Sequence, residues 1–183
     1  MKPTNIVITS LPRLEPWDYY YNDLCSQLKS DRAQLFLTRG NNFKIRDRDG
    51  TWDRLYQKFL EKTQELLGPL HIHANNKRDC WCYASNKDFY RSGIHNHMRT
   101  SIINAVYYFS IPTIDDERDS AISFYDDNKK EVWYYKPKEC DLLIFPNYLK
   151  HQPLPTISEK YRISINLEIM CNMPEVFKRP TEL

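Results

Sequence analysis

The chain has 183 residues, with 26 Lys and Arg against 24 Asp and Glu, a formal charge of +2. That length suits one domain with its own core, and so even a balance argues against nucleic acid held mainly by overall charge. Aromatics at 14% exclude a disordered chain, and four glycines leave no material for GxxxxGK[ST] or GxGxxG phosphate loops, neither of which occurs.

Residues 4–9 (NIVITS) read as a short strand stopped by Pro12. From Asp18 to Ser30, Trp17, Tyr20, Tyr21, Leu24 and Leu28 recur at helical spacing. LFLT at 35–38 reads as a second strand, and KIRDRDG as a polar turn. Thr51 to Leu67 is the clearest helix. Trp52, Leu55, Tyr56, Phe59, Leu60, Leu66 and Leu67 form its stripe, Thr51 is the expected N-cap, and Gly68-Pro69 is the stop. Beyond Pro69 the pattern turns to short β-type runs at 70–74, 79–85, 103–111, 121–125, 131–136, 141–145 and 161–169. Seven runs in about 100 residues indicate an antiparallel sandwich or barrel. The expected division is a single domain over 1–183. Residues 1–69 form a helical front that buttresses the barrel, 70–170 the β core, and 171–183 a tail.

No stretch approaches the ~18 apolar residues of a membrane span, and the N-terminus lacks the apolar run of a signal peptide. Five cysteines, an odd number, fit reduced thiols, so a cytoplasmic protein is expected. The acidic run Asp115, Asp116, Glu117 and Asp119 reads as a solvated hairpin cap, because it lacks the spacing of a calcium loop. His71/His73 and Cys80/Cys82 raise a zinc site, but structural zinc uses wider spacings. The favoured reading is ordinary strand residues, with Trp81 packed in the sheet.

His95-Asn96-His97 precedes the strongest strand, and residues i and i+2 of extended backbone share a face. Two imidazoles can therefore reach one metal. His151 follows 54 residues after His97, and Arg162 a further eleven on. In the last strand Arg162, Ser164 and Asn166 share one face, while Ile163, Ile165 and Leu167 share the other. Arginine grips a carboxylate with paired hydrogen bonds, and a neighbouring serine adds a third. Together these residues describe a metal held by imidazoles from two strands beside a carboxylate clamp. Imidazole suits Fe, Zn, Cu and Ni alike, so the ligands do not choose the metal.

The ordered set of HxH, Val106-Tyr107-Tyr108, the segment Leu143 to His151 (LIFPNYLKH) and Arg162-Ile163-Ser164-Ile165-Asn166 resembles the iron(II)- and 2-oxoglutarate-dependent oxygenases. The likeness is to small bacterial and phage members related to prolyl hydroxylases, and it covers about residues 80–169. It implies a mainly β fold with N-terminal helices, a double-stranded β-helix (jelly roll, cupin-like). It implies an Fe(II) site of His95, His97 and His151, with 2-oxoglutarate as co-substrate held by Arg162 and Ser164. Asn104, Tyr108, Asn166 and Tyr83 are further pocket candidates. The implied reaction is hydroxylation coupled to oxidative decarboxylation of 2-oxoglutarate, in the cytoplasm, including a phage host's. The substrate would be a small molecule or a protein side chain, with no membrane partner; the oligomeric state stays open. Two departures stand out. Many relatives carry HxD, where this chain has His97, and Asn104-Ala105 replaces a common Ser-Gly. The competing readings are a non-catalytic cupin-like barrel that binds a small acid, and a structural jelly-roll protein.

Overall fold

In a computed structural model, which describes residues 3–38 and 41–179, the chain is mostly β. Among the described residues nine strands form two antiparallel sheets: Val7–Ser10 (β1), Asn42–Lys44 (β2), Cys80–Ser85 (β3), Ile103–Ser110 (β4), Ile122–Tyr125 (β5), Glu131–Tyr135 (β6), Asp141–Pro146 (β7), Lys150–Pro153 (β8) and Arg162–Ile169 (β9). The larger sheet runs β1-β7-β4-β9-β3-β2, and the smaller runs β6-β5-β8. This is the jelly-roll arrangement.

Alternation along the central strands divides the larger sheet into two faces. Ile163, Ile165 and Leu167 of β9, Ala105 and Tyr107 of β4, and Cys80 and Cys82 of β3 join the main core against the helices. Those helices are Trp17–Thr38 (α1) and Thr51–Leu67 (α2). Tyr20, Leu24 and Leu28 of α1 and Trp52, Leu55, Tyr56 and Phe59 of α2 are buried there, as their spacing predicts. Leu66 instead faces solvent. On the opposite face, Val106, Tyr108, Leu143 and Phe145 meet Ile122 and Phe124 of the smaller sheet in a second, smaller core. The functional strands thus sit between an apolar buttress and a cavity-bearing interior.

Several expectations need correction. LFLT at 35–38 is the last turn of α1, not a strand; a short apolar run has no period of its own to separate helix from strand. The run at 70–74 makes only a single antiparallel bridge, Ile72 to Cys171. The N-cap of α2 is Gly50 at φ +75°, not Thr51. Asp49 Oδ1 accepts from Thr51 N (3.0 Å) and Asp47 Oδ2 from Asp53 N (2.9 Å), so carboxylates outside the helix satisfy its first amides. Gly68 ends the helix at φ +84°, its N–H donating to Gln64 O. Of the acidic run, Asp119 is buried rather than solvated, and its carboxylate ties together two loops. Trp81 is 41% exposed and does not pack in the sheet.

Candidate active site

His95 and His151 are antiparallel bridge partners, with His95 N donating to His151 O (3.1 Å) and His151 N to His95 O (2.9 Å). Partners opposite one another in such a bridge project to the same face. Two residues on, His97 is held by its N–H to Asn147 O (2.9 Å), and its ring returns to the same side. The imidazole centroids lie 4.5 Å (His95–His151), 5.2 Å (His97–His151) and 5.3 Å (His95–His97) apart. One ring nitrogen from each lies within 4.8 Å of the other two. Among the described residues this is the only group of three or more His, Cys, Asp or Glu so placed.

Hydrogen bonds set the tautomers. Nδ1 of His95 donates to Gly93 O (2.8 Å), and Nδ1 of His151 donates to Leu149 O (3.0 Å). Nδ1 of His97 lies 2.6 Å from Glu168 Oε1. Each Nδ1 is engaged, which leaves each Nε2 lone pair for a metal. Burial, with the imidazoles of His95 and His97 adding to it, holds His151 well below the usual histidine range. Partial desolvation of its ring among its neighbours, with the nearby His97, also lowers His95, although the residue as a whole keeps an exposed edge. Both are therefore neutral at pH 7, as ligation requires. Phe145 and Phe124 pack their rings 4.9 and 6.0 Å from that of His151 and keep it in place.

Arg162 is 1% exposed, and no carboxylate pairs with it among the described residues. Its Nε donates to Ser120 O (3.2 Å) and its Nη1 to Ser164 Oγ (3.0 Å). The guanidinium lies 5.4 Å from the ring centroids of both Tyr83 and Tyr108. The hydroxyls of Tyr83, Tyr108 and Ser85 are buried and have no hydrogen-bond partner among the described residues. Burial pushes Tyr83 up to about 12 and raises Tyr108 as well, so both remain O–H donors. A desolvated cation and orphaned hydroxyls are costly to leave unpaired, and an anion with several acceptor oxygens would satisfy them. One cavity of about 440 Å³ is bordered by Tyr83, Arg162, Ser164 and Asn166 and also by His95 and His151. A small acid placed there could therefore touch both the clamp and a metal.

A second, larger hollow of about 810 Å³ is bordered by both His95 and His97. Trp81, Lys77, Arg99 and Asn42 border it, together with Glu168.

The structure therefore brings His95, His97 and His151 together, and gathers Arg162, Ser164, Tyr108 and Tyr83. Asn166 borders both hollows, its amide donating to Asn42 Oδ1 (3.5 Å). Asn104 is not among the residues lining the Arg162 cavity; Ser101 Oγ donates to its Oδ1 (2.6 Å), and its Nδ2 has no partner among the described residues. His71 and His73 are not joined with Cys80 and Cys82. Both cysteines are buried, and Cys80 Sγ donates to Trp52 O. Sequence reasoning missed Glu168 and Ser120. Glu168 carried a signal, since it continues the 162, 164, 166 face of β9; Ser120 carried none.

Residues 79–168 match the sequence model of a family described as "Putative 2OG-Fe(II) oxygenase". Comparison with curated protein sequences finds no match. Among solved structures, a prolyl 4-hydroxylase from Phytophthora capsici is similar at TM-score 0.60 and 10% identity, over 92% of this chain and 59% of that one. A prolyl-4-hydroxylase from Pseudomonas putida gives TM-score 0.56 and 15% identity, over 91% and 92%. A prolyl hydroxylase from Trichoplax adhaerens, in complex with a hypoxia inducible factor peptide fragment, gives 0.56 and 13%, over 91% and 84%. At these identities the likeness is one of fold. The chain spans about three-fifths of the Phytophthora protein's length.

Proposed function

We propose that the chain, whose residues 79–168 match a 2OG-Fe(II) oxygenase family model, is a member of that superfamily and hydroxylates its substrate while oxidatively decarboxylating 2-oxoglutarate. The observation that carries this reading is the buried, carboxylate-free Arg162 in a cavity that His95 and His151 of the histidine triad also line. The donor set fits both groups: three free Nε2 atoms suit Fe(II), and the clamp suits a carboxylate.

His95, His97 and His151 would hold the iron through Nε2. When bound, Fe(II) with 2-oxoglutarate supplies the oxygen activation by which O2 and 2-oxoglutarate become succinate, carbon dioxide and one hydroxyl on the substrate. Arg162 and Ser164 would bind the distal carboxylate of the co-substrate. Tyr83 and Tyr108 would donate their unpartnered hydroxyls to it, and Asn166 would flank it. Asn104, away from the clamp, would shape the wall behind His97. The aromatic rings around Arg162 and His151 exclude water and strengthen each polar contact made inside.

The substrate, a small molecule or a protein side chain, would approach His95 and His97 across the hollow bordered by Trp81, Lys77 and Arg99. No helix among the described residues is long and apolar enough to cross a bilayer. The odd cysteine count supports a reducing compartment, the cytoplasm.

The test is 2-oxoglutarate turnover in air with added Fe(II), read as succinate released. Wild type should form succinate slowly even without substrate, and His151→Ala and Arg162→Ala should not. A protein that binds 2-oxoglutarate and forms no succinate would instead be a small-acid-binding barrel.

A further inference from the structure

The three histidines are not equivalent. His95 and His151 direct Nδ1 to backbone carbonyls, which are neutral acceptors. His97 alone directs Nδ1 to a carboxylate, Glu168 Oε1, at 2.6 Å. That same oxygen accepts from Thr100 Oγ1 (3.2 Å), and Tyr56 of α2 donates its hydroxyl to the Glu168 backbone oxygen (2.7 Å). Glu168 is therefore fixed at both side chain and main chain. It lies on β9 at the parity of Arg162 and Ser164, so the strand that carries the anion clamp also carries this carboxylate.

We infer that Glu168 is the outer carboxylate of the metal centre and supplies, through the His97 ring, the negative charge that this ligand set lacks. The inference rests on the reading of the triad as a metal site. Three neutral imidazoles leave a dication's charge wholly uncompensated. A carboxylate hydrogen-bonded to the far nitrogen of a ligating imidazole fixes the tautomer and makes the ring a stronger donor. His97 stands where an HxD motif would place aspartate. Here the carboxylate is moved one imidazole outward, and Thr100 and Tyr56 hold it there. Glu168 acts through His97, so its role is positioning and charge.

Cobalt(II) binding to the metal-free protein, followed by visible absorption, tests this without turnover. Wild type, Glu168→Gln, His97→Asp and the double variant are compared, and melting of each metal-free protein checks its fold. Glutamine keeps an acceptor for His97 but removes the charge. Glu168→Gln should bind cobalt about ten- to a hundred-fold more weakly at an unchanged melting temperature. In the Glu168→Gln background, His97→Asp should recover most of that loss, because the charge returns on the ligand itself. In the wild-type background the same change sets a second carboxylate near Glu168 and should gain nothing. Equal affinity of wild type and Glu168→Gln, or a double variant no tighter than Glu168→Gln, overturns the inference. Failure of the wild type to bind cobalt overturns the metal-site reading beneath it, and the two failures are thereby distinguished.

Discussion

Arg162 owes its position to residues that are far from it in sequence. Ser120, at φ +60°, turns its carbonyl to accept from Arg162 Nε. Asp119 holds that turn, accepting from Ser120 Oγ (2.7 Å), Thr156 Oγ1 (2.9 Å) and Ile157 N (2.7 Å). Asp119→Asn replaces one acceptor oxygen by a donor in a buried site, a change that costs about 1–3 kcal/mol. The melting temperature should fall and 2-oxoglutarate affinity should weaken several-fold, as read by calorimetric titration. Unchanged affinity would separate this turn from the clamp. Alternation alone made Arg162 and Ser164 legible in the sequence. Asp119 was not legible, because it closes an acidic run whose other members, Asp115, Asp116 and Glu117, do lie at the surface. The carboxylate on His97 was equally hidden: its pairing depends on two segments 71 residues apart.

At the scale of elements, the helix with the longest sustained stripe was readable to the residue; α1, whose stripe ends at Leu28, runs on to Thr38, well past its expected end at Ser30, and the short strands were not all readable. Thr51–Leu67 matches its predicted span. β8 is not among the expected strands, because Pro153 and Pro155 beside His151 read as a strand end or loop mouth; Pro153 is tolerated at the end of an edge strand. β2 has three residues, two of them polar and exposed, so no period marks it. The smaller sheet carries His151 opposite Phe124, so the β5–β6 hairpin supports one of the proposed metal ligands at one remove. That hairpin turns with Lys129 at φ +62° and a register shift after Phe124. The position favours glycine, since a Cβ in the left-handed region costs about 1 kcal/mol. Lys129→Gly should therefore raise stability by up to about 1 kcal/mol, measured as a higher urea midpoint at unchanged slope. A lower midpoint would show that Lys129 contributes contacts worth more than the relief of its backbone.

The molecule as a whole places one sheet between two cores, apolar on the helix side and partly polar on the cavity side. The fold class was legible because β-type runs recur along the last 100 residues; the assignment of faces needed the helices in place. Total charge said little, whereas one buried cation says much. The same burial has a consequence in alkali. Tyr56 and Tyr83 are pushed up to about 12 by burial, and Tyr108 is raised too, while the unfolded chain ionises its tyrosines near about 10. The folded state thus keeps protons that the unfolded state releases. The stabilisation is complete below pH ~10 and is lost as pH rises from there through about 12. Tyrosinate absorbance should show a late class that ionises together with unfolding, and ionisation of all thirteen tyrosines near 10 in the folded protein would contradict it. The central claim is that the histidine triad and Arg162 hold two ends of one co-substrate. Anaerobic addition of 2-oxoglutarate to the protein with iron(II) tests it most directly, through the weak visible absorption that a chelated 2-oxo acid gives. The band should appear in wild type, be absent in His151→Ala, and in Arg162→Ala require about ten- to a hundred-fold more 2-oxoglutarate, the equivalent of about 1.5–3 kcal/mol for a charged hydrogen bond. No band in wild type, or saturation of Arg162→Ala at the wild-type concentration, would contradict it.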